Sequence, residues 1–207
     1  MPQPSLVGLA AALAFAAGGV DLEAVPHLDD ATETPLYTYS LPPGGAGTPE
    51  QAALGAKLFY DVRLSSDASV DCDSCHLTYQ GFADFGQSVG VRRQLVRRNA
   101  PTLFDAMFNA RQFWDGRAAS LEEQARGPLL SPFEMGNRSP QELEARLAAI
   151  PEYRAAFPRV FGRPVAFDDA ITAITAFERR QIGLDSPFDR FVAGDDGALS
   201  ASAKRGW

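Results

Sequence analysis

Residues 72–76 read Cys72-Asp73-Ser74-Cys75-His76. These five positions hold both cysteines of the chain and one of its two histidines, the other being His27. Cys-x-x-Cys-His is the pattern of covalent c-type haem attachment. On one helical turn, cysteines three apart face the same side, and each can add to a haem vinyl group. The histidine that follows presents its imidazole to the iron as the proximal ligand. Cys72 and Cys75 are therefore the candidate cofactor-binding thiols, and His76 the candidate iron ligand. Two other readings compete at this point. A zinc site wants four ligands, and the sequence holds no second Cys or His pair. A thioredoxin-like redox pair wants a βαβ setting, and no period-two strand run accompanies the motif.

Outward from the motif, composition bounds the class. The chain has 207 residues, enough for one or two domains. It is 45% hydrophobic and 22% charged, which excludes a largely disordered chain, a collagen-like fibre and a polytopic membrane protein. A formal net charge of -7 argues against nucleic acid as a partner. With both cysteines used by haem, no disulfide is expected. Residues 6–17 form an apolar run of export-signal length, within which Ala14-Phe15-Ala16 gives a small-x-small cleavage pattern. The run is too short to span a bilayer. Haem attachment of this kind takes place outside the cytoplasm, so motif and leader together predict a periplasmic protein with no membrane span in its mature form. The expected organisation is an export segment over 1–20, an extended acidic and Pro/Gly-rich lead-in over 21–47, a haem domain over 48–165, and linking helices with the start of a second such domain over 166–207.

The remaining pattern is helical, so the fold class is mainly α, with long loops. Pro49-Glu50-Gln51 opens a helix with Leu54, Leu58 and Phe59 on one side. The chain turns helical at the cysteines. Residues 77–98 have no helical period and read as loop. Asn99-Ala100-Pro101 starts a short helix through Phe108. Ser120-Leu121-Glu122-Glu123 and Ser139-Pro140-Gln141-Glu142 fit capping boxes, the second leading Leu143, Leu147 and Ile150. Asp168 or Asp169 caps a further helix carrying Ile171, Ile174 and Phe177. For the sixth iron position the sequence offers His27, Met107 and Met135.

Several ordered motifs surround the haem signal: Leu58-Phe59-Tyr60-Asp61-Val62-Arg63-Leu64-Ser65, Arg98-Asn99-Ala100-Pro101-Thr102, Phe113-Trp114-Asp115-Gly116-Arg117, Ser120-Leu121-Glu122-Glu123-Gln124 and Pro132-Phe133-Glu134-Met135-Gly136. In this order and spacing, residues 48–207 resemble the bacterial di-haem cytochrome c peroxidase and MauG family. The resemblance implies a cytochrome-c-like fold and a haem oxidoreductase that reduces hydrogen peroxide. Its electrons would come from a small cytochrome or copper protein, or from a protein substrate in the MauG manner. It implies Glu134 as the distal acid that moves protons on peroxide, Gln124 as the distal amide that orients it, and Trp114 as the electron relay between two haems. Phe113 would pack the distal pocket, and Asn99 would match an inter-domain calcium ligand. From its charge alone, Arg117 suits a haem propionate.

Two departures from the family pattern stand out. Residues 77–98 hold no histidine that could block the peroxide position. The chain has one Cys-x-x-Cys-His, whereas the family carries two haems. Thr48-Pro49-Glu50-Gln51-Ala52-Ala53-Leu54-Gly55 aligns with Leu199-Ser200-Ala201-Ser202-Ala203-Lys204-Arg205-Gly206, pairing Ala52 with Ala203 and Gly55 with Gly206. This reads as an internal repeat cut at its first helix. One covalent haem c is expected in this chain. The competing functions are a mono-haem electron carrier with a Met-ligated iron, and an inactive remnant.

Overall fold

Helix starts in this chain are set by hydroxyl caps. The computed structural model describes residues 45–183 and 185–207. The export segment, His27 and nearly all of the lead-in lie outside the described residues. Helix α1 (Pro49–Phe59) begins where the Thr48 hydroxyl accepts from the Gln51 N–H and the Gln51 side chain accepts from the Thr48 N–H. Such a cap contributes about 1 kcal/mol. Helices α2 (Leu121–Leu130) and α3 (Pro140–Ala149) begin at Ser120 and Ser139, whose hydroxyls take the Glu123 and Glu142 amides. The two boxes close differently from expectation. The Glu123 and Glu142 carboxylates accept from Ala119 and Arg138, one residue before the cap. The cap φ angles of -151° and -159° turn each serine's own N–H away, whereas Thr48 has -83°.

Helix α4 (Pro151–Phe161), which the sequence reading did not anticipate, follows α3 directly and buries Tyr153 and Phe157 one turn apart. Helix α5 (Phe167–Glu178) starts at Ala166, and Asp168 and Asp169 lie inside its first turn rather than capping it. There they oppose the positive end of the helix dipole, and Arg163 binds Asp169 through two hydrogen bonds. The helix expected from Asn99 to Phe108 is reduced to a single 3₁₀ turn, Ala106–Phe108. Pro101 and a left-handed Asp105 (φ +60°) prevent a longer one. Two short helices, α6 (Pro187–Val192) and α7 (Ala201–Gly206), complete the described chain. The described residues hold no strand beyond isolated bridges, so the mainly α fold class stands.

The core is organised on the crossing of α1 over α5. Leu54 and Leu58 interlock with Ala170, Ile171, Ala173 and Ile174, and α3 and α4 add Leu143, Leu147, Tyr153 and Phe157. Each large aliphatic side chain buried there contributes about 1.5–3 kcal/mol. The crossing is close because Gly55 has no side chain: a Cβ at that position would overlap the Ala173 carbonyl oxygen. The α5 helix, read from sequence as a linking helix, therefore lies at the centre of the packed unit and forms part of the wall behind the cysteines.

Candidate functional site

A cavity of about 600 Å³ opens beside the α1–α5 crossing. That volume suits a bound cofactor, for which ~300–1,000 Å³ is usual. Cys72, Cys75 and His76 line one part of it; Asn99, Phe113, Trp114, Arg117, Gln124 and Glu134 line the rest. The structure thus brings together all nine residues that the sequence singled out.

The attachment side is built by one α-turn. The Cys75 and His76 amides both donate to the Cys72 carbonyl, at 3.2 and 2.9 Å, and the Cys72 amide donates to Phe59 at the end of α1. This single turn is the whole of the helix expected at the cysteines. His76 Nδ1 lies 3.1 Å from the Phe82 carbonyl and 3.0 Å from the Pro101 carbonyl. Two carbonyls can only accept, so Nδ1 carries the proton and Nε2 keeps its lone pair. A backbone carbonyl on the second ring nitrogen is the arrangement that orients a metal-ligating histidine. Burial also lowers the His76 pKa, favouring the neutral imidazole that a metal needs. Phe82 reaches its place with φ +60°, and Phe113 with φ +66°. For side chains of this size such backbone costs about 1–3 kcal/mol and is found mainly at functional sites.

The two thiols are free and stand at the same wall. Burial pushes the Cys72 thiol well up, with Glu178 adding to the effect, and raises Cys75 to about 11 against the opposing influence of the nearby Ser88 hydroxyl. Reactive redox cysteines are shifted the other way, so the thioredoxin-like reading loses its chemistry as well as its βαβ setting. Among the described residues no group of three or more His, Cys, Asp or Glu is arranged to hold a metal ion, which removes support for zinc. Two free thiols, a neutral oriented imidazole and an apolar-walled cavity of cofactor size fit a covalently held haem.

The polar side is built by loops that are pinned through their backbones. The Glu134 carbonyl accepts from Val91 at 2.8 Å, the Glu134 amide donates to Ser131, and the Met135 amide donates to Pro128. Gly90 permits this approach, since a Cβ there would overlap the Phe133 carbonyl. The buried Asn137 amide ties the same loop down by donating to Leu64 and Leu129 at 2.9 and 2.8 Å. Gln124 sits on α2, which Glu122 fastens to Arg179, the residue that ends α5, at 2.6 Å. Among the described residues, the Gln124 and Glu134 side chains themselves have no hydrogen-bond partner. A second, more open cavity of about 400 Å³ shares Phe113, Arg117 and Glu134 with the first, so Glu134 borders both.

At the mouth, Trp114 is 66% exposed and its indole N–H donates to the Asn99 carbonyl at 2.9 Å. The Asn99 amide nitrogen donates to the Asp84 and Gly86 carbonyls. Arg117 stacks on the Phe113 ring at 3.4 Å and pairs with Asp115, which Arg98 shares. Two guanidinium groups that the sequence reading missed, Arg97 and Arg111, also line the cavity and have no ion-pair partner among the described residues. Met135 lies on the cavity wall, whereas Met107 packs against Ala106 and Leu121 in a separate cluster. Glu178 was missed too. It is buried at the cavity, one of its oxygens has no partner, and burial raises its pKa to about 8, against the influence of Arg179. The signal was a carboxylate on the stripe of Ile171 and Ile174, at helical spacing.

The chain matches known proteins along most of the described length. The family model for di-haem cytochrome c peroxidase matches residues 49–197. The cytochrome c551 peroxidase of Pseudomonas aeruginosa is 48% identical over 161 residues, covering 76% of this chain and 46% of that protein. The methylamine utilization protein MauG of Methylorubrum extorquens is 39% identical over 163 residues, covering 77% and 48%. Among solved structures, a MauG-like protein associated with microbial copper homeostasis superposes with TM-score 0.70 at 33% identity, covering 77% of this chain and 48% of the other. The diheme peroxidase BthA of Burkholderia thailandensis gives 0.68 at 30%, covering 77% and 46%. The chain spans about half the length of the relatives it matches. With a family match over more than two thirds of its length and the cysteine–histidine wall in place, the chain belongs to the di-haem cytochrome c peroxidase family.

Proposed function

We propose that this chain carries the peroxide-reacting haem site of a periplasmic haem c peroxidase. Cys72 and Cys75 would hold the haem by adding their S–H groups across its two vinyl groups, forming thioethers with no loss of atoms. His76 would bind the iron through Nε2. When bound, haem supplies an iron centre that accepts hydrogen peroxide and draws two electrons into it. Glu134 takes the proton from one peroxide oxygen and returns it to the departing one. Its contact with the second cavity gives it a route for exchanging protons with water. Gln124 offers both a donor and an acceptor to orient the peroxide. Trp114, at the mouth, passes electrons inward from a small cytochrome or copper protein, or from a second haem. Phe113 and the stacked Arg117 close the pocket side, and Arg117 retains donors for a propionate. A MauG-like oxidation of a protein substrate would use the same groups with the protein as electron source. Asn99 would contribute one oxygen to a calcium ion, which wants six to eight.

The observation that carries this reading is the placement of Glu134: its loop is fixed by backbone bonds, and its carboxylate is free on the same cavity as Cys72, Cys75 and His76. The test is stopped-flow mixing of the haem-loaded chain with hydrogen peroxide. Glu134→Gln is expected to slow the absorbance change by about 100-fold or more while haem content stays the same. An unchanged rate contradicts the role of Glu134. A ferric spectrum of the high-spin type is expected. A low-spin spectrum with a methionine band would instead favour the electron carrier, with Met135 as the ligand to mutate.

A further inference from the structure

Tyr60 follows the last residue of α1 and is 44% exposed. Its hydroxyl lies 2.9 Å from Thr78 Oγ1, and the Thr78 hydroxyl donates to Asp73 Oδ1 at 2.6 Å. Threonine has one hydroxyl proton, and it is engaged by the carboxylate. Tyr60 must therefore be the donor to Thr78. The result is a directed proton path, Tyr60 to Thr78 to Asp73, which ends between the two haem-attaching cysteines.

The same ring is in contact with the attachment side by a second route. It lies 5.0 Å from the Phe59 ring and 5.9 Å from the Phe177 ring. Those rings pack with Cys72, whose amide donates to the Phe59 carbonyl at 3.0 Å. Tyr60 is thus joined to Cys72 by a short run of bonds and van der Waals contacts, the medium that electron tunnelling needs. Partial burial raises the Tyr60 pKa, so at neutral pH the phenol keeps its proton and can be oxidised readily only with an acceptor at hand. The other described tyrosines lack one part of this arrangement. Tyr79 is 73% exposed, and its hydroxyl has no partner among the described residues. Tyr153 donates to Asp61 but is buried among α1, α3 and α4.

We propose that Tyr60 is a surface redox residue of this site, a one-electron port at which a small phenol or an exposed side chain of a protein donor is oxidised without passing through Trp114. The inference rests on the peroxidase reading above. In each turn Tyr60 gives one electron inward toward the haem, with hydrogen peroxide as the terminal oxidant. Its phenolic proton moves to Thr78 Oγ1 while the Thr78 proton moves to Asp73 Oδ1. This leaves a neutral tyrosyl radical and a protonated Asp73. The external donor then returns one electron to Tyr60, and Asp73 returns the proton along the same path. Two turns supply the two electrons, and the two protons that the oxidised donors release to water balance the two taken from water as one hydrogen peroxide becomes two waters.

The experiment uses the haem-loaded full chain, mixed with hydrogen peroxide, frozen on the millisecond scale and read by electron paramagnetic resonance, with absorbance followed in parallel. A tyrosyl signal is expected in the unaltered protein and is expected to fall to background in Tyr60→Phe, which keeps the ring packing. Thr78→Val removes the proton acceptor but not Tyr60, and is expected to slow formation of the signal by about 10-fold or more. Absorbance that responds to peroxide with no tyrosyl signal, or a signal of equal size in Tyr60→Phe, overturns this proposal alone. Absorbance that does not respond overturns the peroxidase reading and the proposal with it.

Discussion

His76 and Glu134 line the same cavity, but the fold holds them in different ways. The His76 ring is fixed as a side chain: two backbone carbonyls take its Nδ1 proton and burial keeps it neutral. Glu134 is fixed as a backbone: its N–H and C=O are bonded to Ser131 and Val91, and its carboxylate has no partner among the described residues. The side proposed to carry a permanent cofactor is organised down to the tautomer. The side proposed to meet a transient substrate has a rigid support and polar ends unengaged among the described residues. A free carboxylate on a pinned loop can bond to a peroxide oxygen without first breaking a bond to the protein.

The comparison can be broken most severely at its shared foundation. Gly55→Val places side-chain atoms against the Ala173 carbonyl, where no room exists. Because α1 leads to the Cys72 turn and α5 carries Phe177 and Glu178, the whole attachment side should shift. A stability loss of about 3 kcal/mol or more is expected in denaturant unfolding, and a midpoint equal to the parent's would show that the crossing is not close. Asn137→Ala acts on the other side. It removes the side-chain amide from the Leu64 and Leu129 carbonyls, which keep only the longer bonds from Arg146 Nη1 and the residue-137 N–H, and takes an acceptor from Arg146, costing about 2 kcal/mol. It should also slow the peroxide reaction by loosening the Glu134 loop, with haem content intact.

Glu178 gives the comparison a pH axis. The carboxyl titrates at 4.5 when free, and folding keeps it protonated up to about 8, mainly through burial. Between those values the folded chain binds one more proton than the unfolded chain. Stability therefore falls as pH rises through that window, by up to about 1.4 kcal/mol per unit. Glu178→Gln should flatten this slope in unfolding curves measured at pH 5 and pH 8. A parent whose stability rises across that window contradicts the assignment. The smallest effect on stability is expected at the mouth. Trp114 is 66% exposed, so Trp114→Phe should change it by less than about 0.5 kcal/mol. The same change should leave the peroxide step nearly intact and slow electron delivery from a donor protein or second haem.

Much of this was legible in the sequence because its signals are local. Thr48, Ser120 and Ser139 announce their helices through hydroxyls that meet amides three residues on, and Cys72–His76 encodes its cofactor in one turn. Helix α4 was illegible because it has no side-chain cap and follows α3 without a loop; only the Tyr153–Phe157–Phe161 spacing and Pro151 mark it. The expected Asn99–Phe108 helix failed where a left-handed Asp105 overrode local propensity. At the site, residue types in order were enough to nominate Glu134, Gln124 and Trp114. The sequence could not show that the Asp73 carboxylate closes a path from Tyr60, because that depends on how the loop after His76 folds back over α1. Nor could it show that Glu178 faces the cavity without a partner, since an acidic residue on an apolar stripe is equally consistent with an exposed helix end.

The central claim is that Cys72, Cys75 and His76 form a covalent haem site. Its most direct measurement is the intact mass of the chain under denaturing conditions after expression with a cytochrome c maturation system. The account predicts a mass increase of one haem that survives unfolding, and that is no longer retained when Cys72 and Cys75 are both changed to alanine. A chain that carries no added mass, or whose haem leaves on unfolding, would contradict it.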